Sequence, residues 1–208
     1  MNTKFLKAAL VSVVLSVSGF ANAGLIPFGI QTDIDTSTLT NNGWSLNFQS
    51  DWGSLAAHDY EMFAGIALDE YVFIGALDRN TSNIALGAAV RLSDLLNYTT
   101  GNNTNNHNGA SWYFRNGSAM GFAAIGETVN LYSADISNDD GSLSKLSWHM
   151  HDWSTAGFRV GNMFDNNSEN FEKVVFRASA TDVPEPSTLA IFALGMIGLA
   201  SRRFKKQS

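Results

Sequence analysis

The sequence predicts an all-β body, a β-sandwich with a jelly roll as its most specific form, between an N-terminal signal peptide and a C-terminal hydrophobic helix. Three observations predict it. Apolar and polar residues alternate with a period of two, the pattern of a half-buried strand. Short runs of this kind are separated by glycine- and asparagine-rich turns, the spacing of a sandwich or barrel. The chain has no cysteine, so the body must be stabilised by a packed core, for which residues 24–182 are long enough.

Residues 1–23 read as a secretory signal. Lys4 and Lys7 precede an apolar run from Ala8 to Val17, broken only by Ser12 and Ser16. Ala21 and Ala23 put small residues at the cleavage-determining positions, so cleavage after Ala23 leaves Gly24 as the mature N-terminus.

Residues 24–182 form the body. In Gly43 to Gln49, alternation places Trp44, Leu46 and Phe48 on one face of a strand. Further strand-like runs are Met62 to Leu68, Tyr71 to Leu77, Ile84 to Leu92, Ser111 to Arg115 and Thr128 to Ser133. Three more follow: Lys145 to Trp153, Gly157 to Gly161 and Phe171 to Ala178. Turn residues divide them at Asn42-Gly43, Asp78 to Asn83, Asn116-Gly117, Asn138 to Gly141 and Asp165 to Asn170. Leu92 to Tyr98 carries the pattern of a helical turn. Thr100 to Gly109, Asn-rich and nearly chargeless, reads as a surface excursion.

Residues 183–208 have three parts. Pro184 and Pro186 fix φ and push Val183 and Glu185 toward extended geometry. From Leu189 to Ala200 every residue is apolar or glycine, which suits a helix without a polar face. Arg202, Arg203, Lys205 and Lys206 then hold the end at a cytoplasmic membrane face. The apolar run is shorter than the about 20 residues a span requires, so crossing draws on the flanking serines and threonine and on snorkelling basic stems.

Pro184-Glu185-Pro186, one hydrophobic helix and a basic end, in that order, resemble the PEP-CTERM sorting signal of Gram-negative bacteria. The resemblance implies recognition and processing by an exosortase, a membrane-embedded protease-like enzyme, in bacteria that make exopolysaccharide and biofilm matrix. Leu146 to His149, Gly157 to Arg159 and Phe171 to Phe176 are also similar to the closing strands of some exported PEP-CTERM proteins, which implies a scaffold role and no activity.

The formal net charge of −6 divides into +2 for residues 1–23, +3 for the tail and −11 for residues 24–182. Basic ends and an acidic body agree with export through the translocon, both ends being retained on the cytoplasmic side of the inner membrane. An acidic body has no basic stripe to neutralise phosphates, which excludes nucleic acid.

Candidate chemistry in the body is sparse. His149 and His151 are two apart on a strand and so face the same way, as zinc ligands can. Asp152 and Trp153 follow where a His-x-His hydrolase motif continues differently, which favours a polar strand face and no metal. Asp135 to Gly141 and Asp165 to Glu169 each place oxygens at intervals without the full calcium-loop pattern. Solvated turns are the expectation there, with calcium the one cofactor left open. Gly117-Ser118-Ala119-Met120-Gly121 has its serine one place too early for a nucleophile elbow. Tryptophans stack on sugar rings, and Trp52 and Trp153 are the candidate stacking residues, although aromatics alternating on strands are more often core. The sequence thus predicts a non-enzymatic, exported cell-surface or matrix protein with exopolysaccharide as candidate ligand. The alternative is a secreted hydrolase with a metal- or carboxylate-based site.

Overall fold

The computed structural model describes residues 25–53, 59–131, 134–136, 140–150, 158–164 and 170–179. Leu25–Ala180 forms one compact unit. The expected signal peptide (residues 1–23) and tail (residues 183–208) lie outside the described residues.

Two antiparallel sheets make up the unit. The first contains β1 (Ile30–Asp35), β2 (Ser45–Asp51), β3 (Tyr71–Asp78), β4 (Asn83–Arg91) and β11 (Phe171–Ala178), in the order β1-β4-β3-β11-β2. The second holds β5 (Asn105–His107), β6 (Ala110–Arg115), β7 (Ala119–Ala123), β8 (Leu146–His149), β9 (Phe158–Val160) and β10 (Met163–Phe164) as an uninterrupted meander. A jelly roll interleaves its strands between the sheets. Among the described residues six successive strands stay in one sheet, and a jelly roll is not shown.

The inner faces meet in one core. Val72, Ile74, Leu86, Ala88 and Val175 of the first sheet pack with Trp112, Met120, Phe122, Trp148 and Phe158 of the second. Trp52, at the end of β2, joins the two sheets: its ring lies 5.9 Å from Trp148, edge-on, and 6.0 Å from both Phe158 and Phe171. Burying each large apolar side chain contributes about 1.5–3 kcal/mol relative to exposure. Both outer faces are also covered. Leu39 of helix α1 (Thr36–Thr40), capped by Asp35, and Trp44 lie over Phe73, Val174 and Phe176 of the first sheet. Val129, Leu131 and Ala134 lie over Tyr113, Ala119 and Ala123 of the second.

Several predicted elements change. The run Met62 to Leu68 is the end of helix α2 (Asp59–Met62) followed by turns, with Gly65 at φ 75°. Thr128 to Leu131 is not a strand; its apolar residues are buried because the segment covers a sheet. Helix α3 (Leu92–Leu95) occupies the start of the predicted helical turn. Trp44 and Leu46 share the outer face, but Phe48 packs into the inner core. The register slips between Val175 and Phe176, which oppose Phe48 and Leu46, so Asn47 is a bulged residue that reverses the alternation. The Asn-rich excursion contains β5, an edge strand turned onto β6 through Asn108 (φ 47°) and Gly109 (φ 79°). Two successive positive φ values are the requirement of a tight hairpin turn.

Candidate functional site

Helix α3 with the residues after it and the edge strand β5 are joined by polar contacts, which form a polar ledge. Tyr98 is 54 % exposed there. The residue after it is anchored: Thr99 is buried, its Oγ1 donates to the Phe114 carbonyl and it accepts from the Phe114 amide, both at 3.2 Å. Anchoring Thr99 leaves Tyr98 facing outward. The Asn105 amide donates to the Asn97 carbonyl at 3.3 Å, and His107 Nδ1 lies 3.5 Å from an Asp94 carboxylate oxygen. An exposed aromatic ring can stack on a sugar face, and amide, carboxylate and imidazole groups can bond its hydroxyls. The sequence offered no signal for Tyr98, because Asn97-Tyr98-Thr99 reads equally well as the end of a helical turn.

On the outer face of the second sheet the buried charges are spent internally. Lys145 Nζ donates to the Thr128 carbonyl and to Asp140 at 2.5 Å each, and lies 3.3 Å from Asp135. Arg159, fully buried, donates through Nη1 to the Asp135 carboxylate at 2.9 Å, through Nη2 to Asp140 at 2.9 Å and through Nε to the Gly161 carbonyl at 2.7 Å. The hydrogen bond from Lys145, joined by that from Arg159, holds the Asp140 carboxyl well below the usual carboxylate range. Burial pushes Asp135 the other way, against the pull of the same two cations. Beside the cluster Ser147 donates to the Ala134 carbonyl, and burial pushes the Tyr113 phenol far up. The Asp135–Gly141 loop, considered above for calcium, therefore directs two of its carboxylates onto an ammonium and a guanidinium. That arrangement fastens a covering segment to a sheet.

The remaining candidates are placed as follows. Trp52 is 1 % exposed with its ring among Trp148, Phe158 and Phe171, so the stacking role expected for it is corrected: the residue is core. Trp44, Trp112 and Trp148 are buried as well. His149 is 7 % exposed, and its Nδ1 lies 3.2 Å from the Ser118 carbonyl. His151, Trp153 and the Asp165–Glu169 loop lie outside the described residues, as do Ala21, Ala23, Gly24, Pro184, Glu185, Pro186, Leu189, Ala200, Arg202 and Arg203. Among the described residues no group of three or more His, Cys, Asp or Glu is arranged to hold a metal, and no helix is long and apolar enough to cross a membrane.

Residues 182–206 match the family model of the PEP-CTERM protein-sorting motif. No curated protein and no solved structure matches the chain. The motif implies export, sorting to the cell surface through an exosortase, and processing by that membrane protein. With the match falling on Pro184-Glu185-Pro186, the apolar run and the basic end, this chain carries a PEP-CTERM sorting motif, which implies targeting by an exosortase.

Proposed function

We propose that the body is a non-enzymatic component of the cell surface or extracellular matrix, and that it holds exopolysaccharide on the Tyr98 ledge. The carrying observation is an aromatic ring 54 % exposed on the residue after Asn97, whose carbonyl accepts from Asn105, with the Asp94–His107 pair joining the same helix and strand. Stacking on a flat ring and bonding through amides suit a polymer with repeating hydroxyls. Two further features support the reading. The −11 charge of residues 24–182 keeps the body soluble after delivery. The buried Asp135, Lys145 and Arg159 are committed to one another, as in a domain built to persist. In this reading the exported chain resides briefly in the inner membrane through its apolar run Leu189 to Ala200, and exosortase processing then releases the body into the biofilm matrix.

The test is retention of the exported protein on the polysaccharide of its own organism, with polymer length followed over time. Retention without shortening is expected. Tyr98→Ala should weaken retention by roughly 1–3 kcal/mol, the scale of a lost aromatic stack with its buried area. Shortening of the polymer would replace this function by that of a secreted hydrolase.

A further inference from the structure

The sequence contains five Asn-x-Ser/Thr triplets, at Asn80, Asn97, Asn102, Asn116 and Asn166. Such a triplet is an acceptor for asparagine-linked glycan in an exported protein, provided that it lies on the surface. Asn166 lies outside the described residues; the other four asparagines are all exposed. The structure separates those four by what surrounds the acceptor amide and the hydroxyl two residues on.

Asn97 is paired with Thr99, which is 4 % exposed with its hydroxyl engaged by the Phe114 backbone. Asn116 is paired with Ser118, half-buried and held through its backbone by Arg115 and Met150 at 2.9 and 2.8 Å. Asn102 is paired with Thr104, also half-buried. At Asn80 the surroundings differ. Arg79, Asn80, Thr81 and Ser82, the tip of the β3–β4 hairpin, are all exposed, so amide and hydroxyl are both presented to solvent. Asp78 Oδ1 accepts from the Asn80 backbone N–H at 2.8 Å and from its Nδ2 at 3.1 Å. Leu95, Thr100 and Phe114 occupy the corresponding place before the other three. An amide nitrogen is a poor nucleophile because its lone pair is delocalised into the carbonyl. A carboxylate accepting from its N–H returns electron density to the nitrogen and fixes the side chain's direction.

We propose that Asn80 is a glycosylation site of the folded, exported protein, modified from a polyprenyl-diphosphate-linked oligosaccharide by a membrane-bound oligosaccharyltransferase. The bond from Asn80 Nδ2 to the sugar C1 forms as the bond from C1 to the diphosphate oxygen breaks. The electron pair of the broken bond leaves with the polyprenyl diphosphate, and one amide proton is lost to a base. A glycan here sits at the tip of a hairpin of the first sheet, whereas the Tyr98 ledge lies between α3 and β5. The two sites are independent, and a failure of one does not touch the other.

The experiment uses the full chain expressed in its own organism and recovered from the cell surface. Trypsin releases Asn80–Arg91, bounded by Arg79 and Arg91. That peptide should carry a glycan mass and yield sugar fragment ions, while the peptide bearing Asn97 should be unmodified. Asn80→Gln and Ser82→Ala should each remove the full glycan mass from the intact protein. Asp78→Asn, which keeps the shape without the charge, should lower occupancy. Asn116→Gln should change nothing. An Asn80–Arg91 peptide found only in unmodified form, or a glycan at Asn97 with the occupancy of Asn80, overturns the assignment. The peptide measurement on the unaltered chain decides the matter even if a variant fails to fold.

Discussion

Lys173 is fully buried between the sheets with Nζ 4.1 Å from the centre of the Phe158 ring, and burial pulls its pKa down to about 7. An unfolded lysine titrates near 10.4. Between these values the unfolded chain holds a proton that the folded chain does not, so stability rises with pH across that window. Below about pH 7 both states are protonated and the cost of burying the charge is complete. Lys173→Met keeps the volume and removes the titration. Denaturant midpoints measured from pH 6 to pH 10 should rise more steeply for the parent than for the variant, and parallel slopes would sink the idea. Trp52 and Tyr98 give a second contrast. Trp52→Ala empties a site bordered by Trp148, Phe158 and Phe171, a loss of about 3–5 kcal/mol. Tyr98→Ala removes an exposed ring and leaves the melting temperature within about 1–2 °C, consistent with a surface change. Thermal melts and polymer retention should therefore move in opposite variants, and a Tyr98→Ala protein that melts early would show the ring to be structural.

At the scale of elements, the outer cover of the second sheet depends on how its carboxylates differ. Asp135 is buried between Arg159 at 2.9 Å and Lys145 at 3.3 Å; Asp140 is 35 % exposed. Asp135→Ala leaves buried cations short of their counter-charge, at a cost of about 3–5 kcal/mol. Asp140→Asn, at the solvent edge, costs about 1 kcal/mol or less. Comparable losses in urea unfolding would mean the cluster is not ordered in this way. The folded carboxyl of Asp140 is held below its unfolded range, chiefly by Lys145. Its contribution is present above the unfolded value near pH 3.9 and is lost as pH falls through the folded one. Protection of the Asn130 and Asp135 amides, taken relative to the intrinsic exchange rate at each pH, should fall below about pH 4, ahead of that in β3 and β11.

The same scale shows what was legible in the sequence. β11 stands where the apolar pattern of Phe171 to Ala178 puts it, because a strand buried on both faces and flanked by turn residues has few alternatives. The side of Phe48 was not legible, since a period of two carries no mark of the bulge at Asn47. Thr128 to Leu131 looks like a strand because a segment covering a sheet needs the same buried apolar residues as a strand within one. The hairpin at Asn108-Gly109 did have its signal, masked by the polarity of the surrounding asparagines. For the site, exposure decides between stacking and core. Nothing local separates Trp52 from Tyr98 until the packing of both sheets is known.

For the whole molecule the governing asymmetry is charge: basic ends around an acidic body, with the sorting motif at residues 182–206. The three hydrophobic clusters draw their described residues from Ile26 to Ala178, within the compact unit Leu25–Ala180. A body that folds on this span alone should keep its stability after loss of both ends, which delivery by cleavage would require. The apolar run Leu189 to Ala200 would rise about 18 Å as a helix at 1.5 Å per residue, against a hydrocarbon thickness of about 30 Å. A helix so short would hold the chain weakly, and the prolines at 184 and 186 favour an extended recognition segment in front of it. In the parent organism the surface protein should begin at Gly24 and lack Arg202, Arg203, Lys205 and Lys206 by intact mass. Replacing Pro184, Glu185 and Pro186 together by alanine removes the stiff recognition segment and keeps the apolar run. That variant should retain its tail and sediment with the inner membrane while its body melts at the same temperature as the processed protein. A surface protein that keeps its basic tail, or a triple-alanine variant released as efficiently as its parent, would separate delivery of this chain from exosortase cleavage.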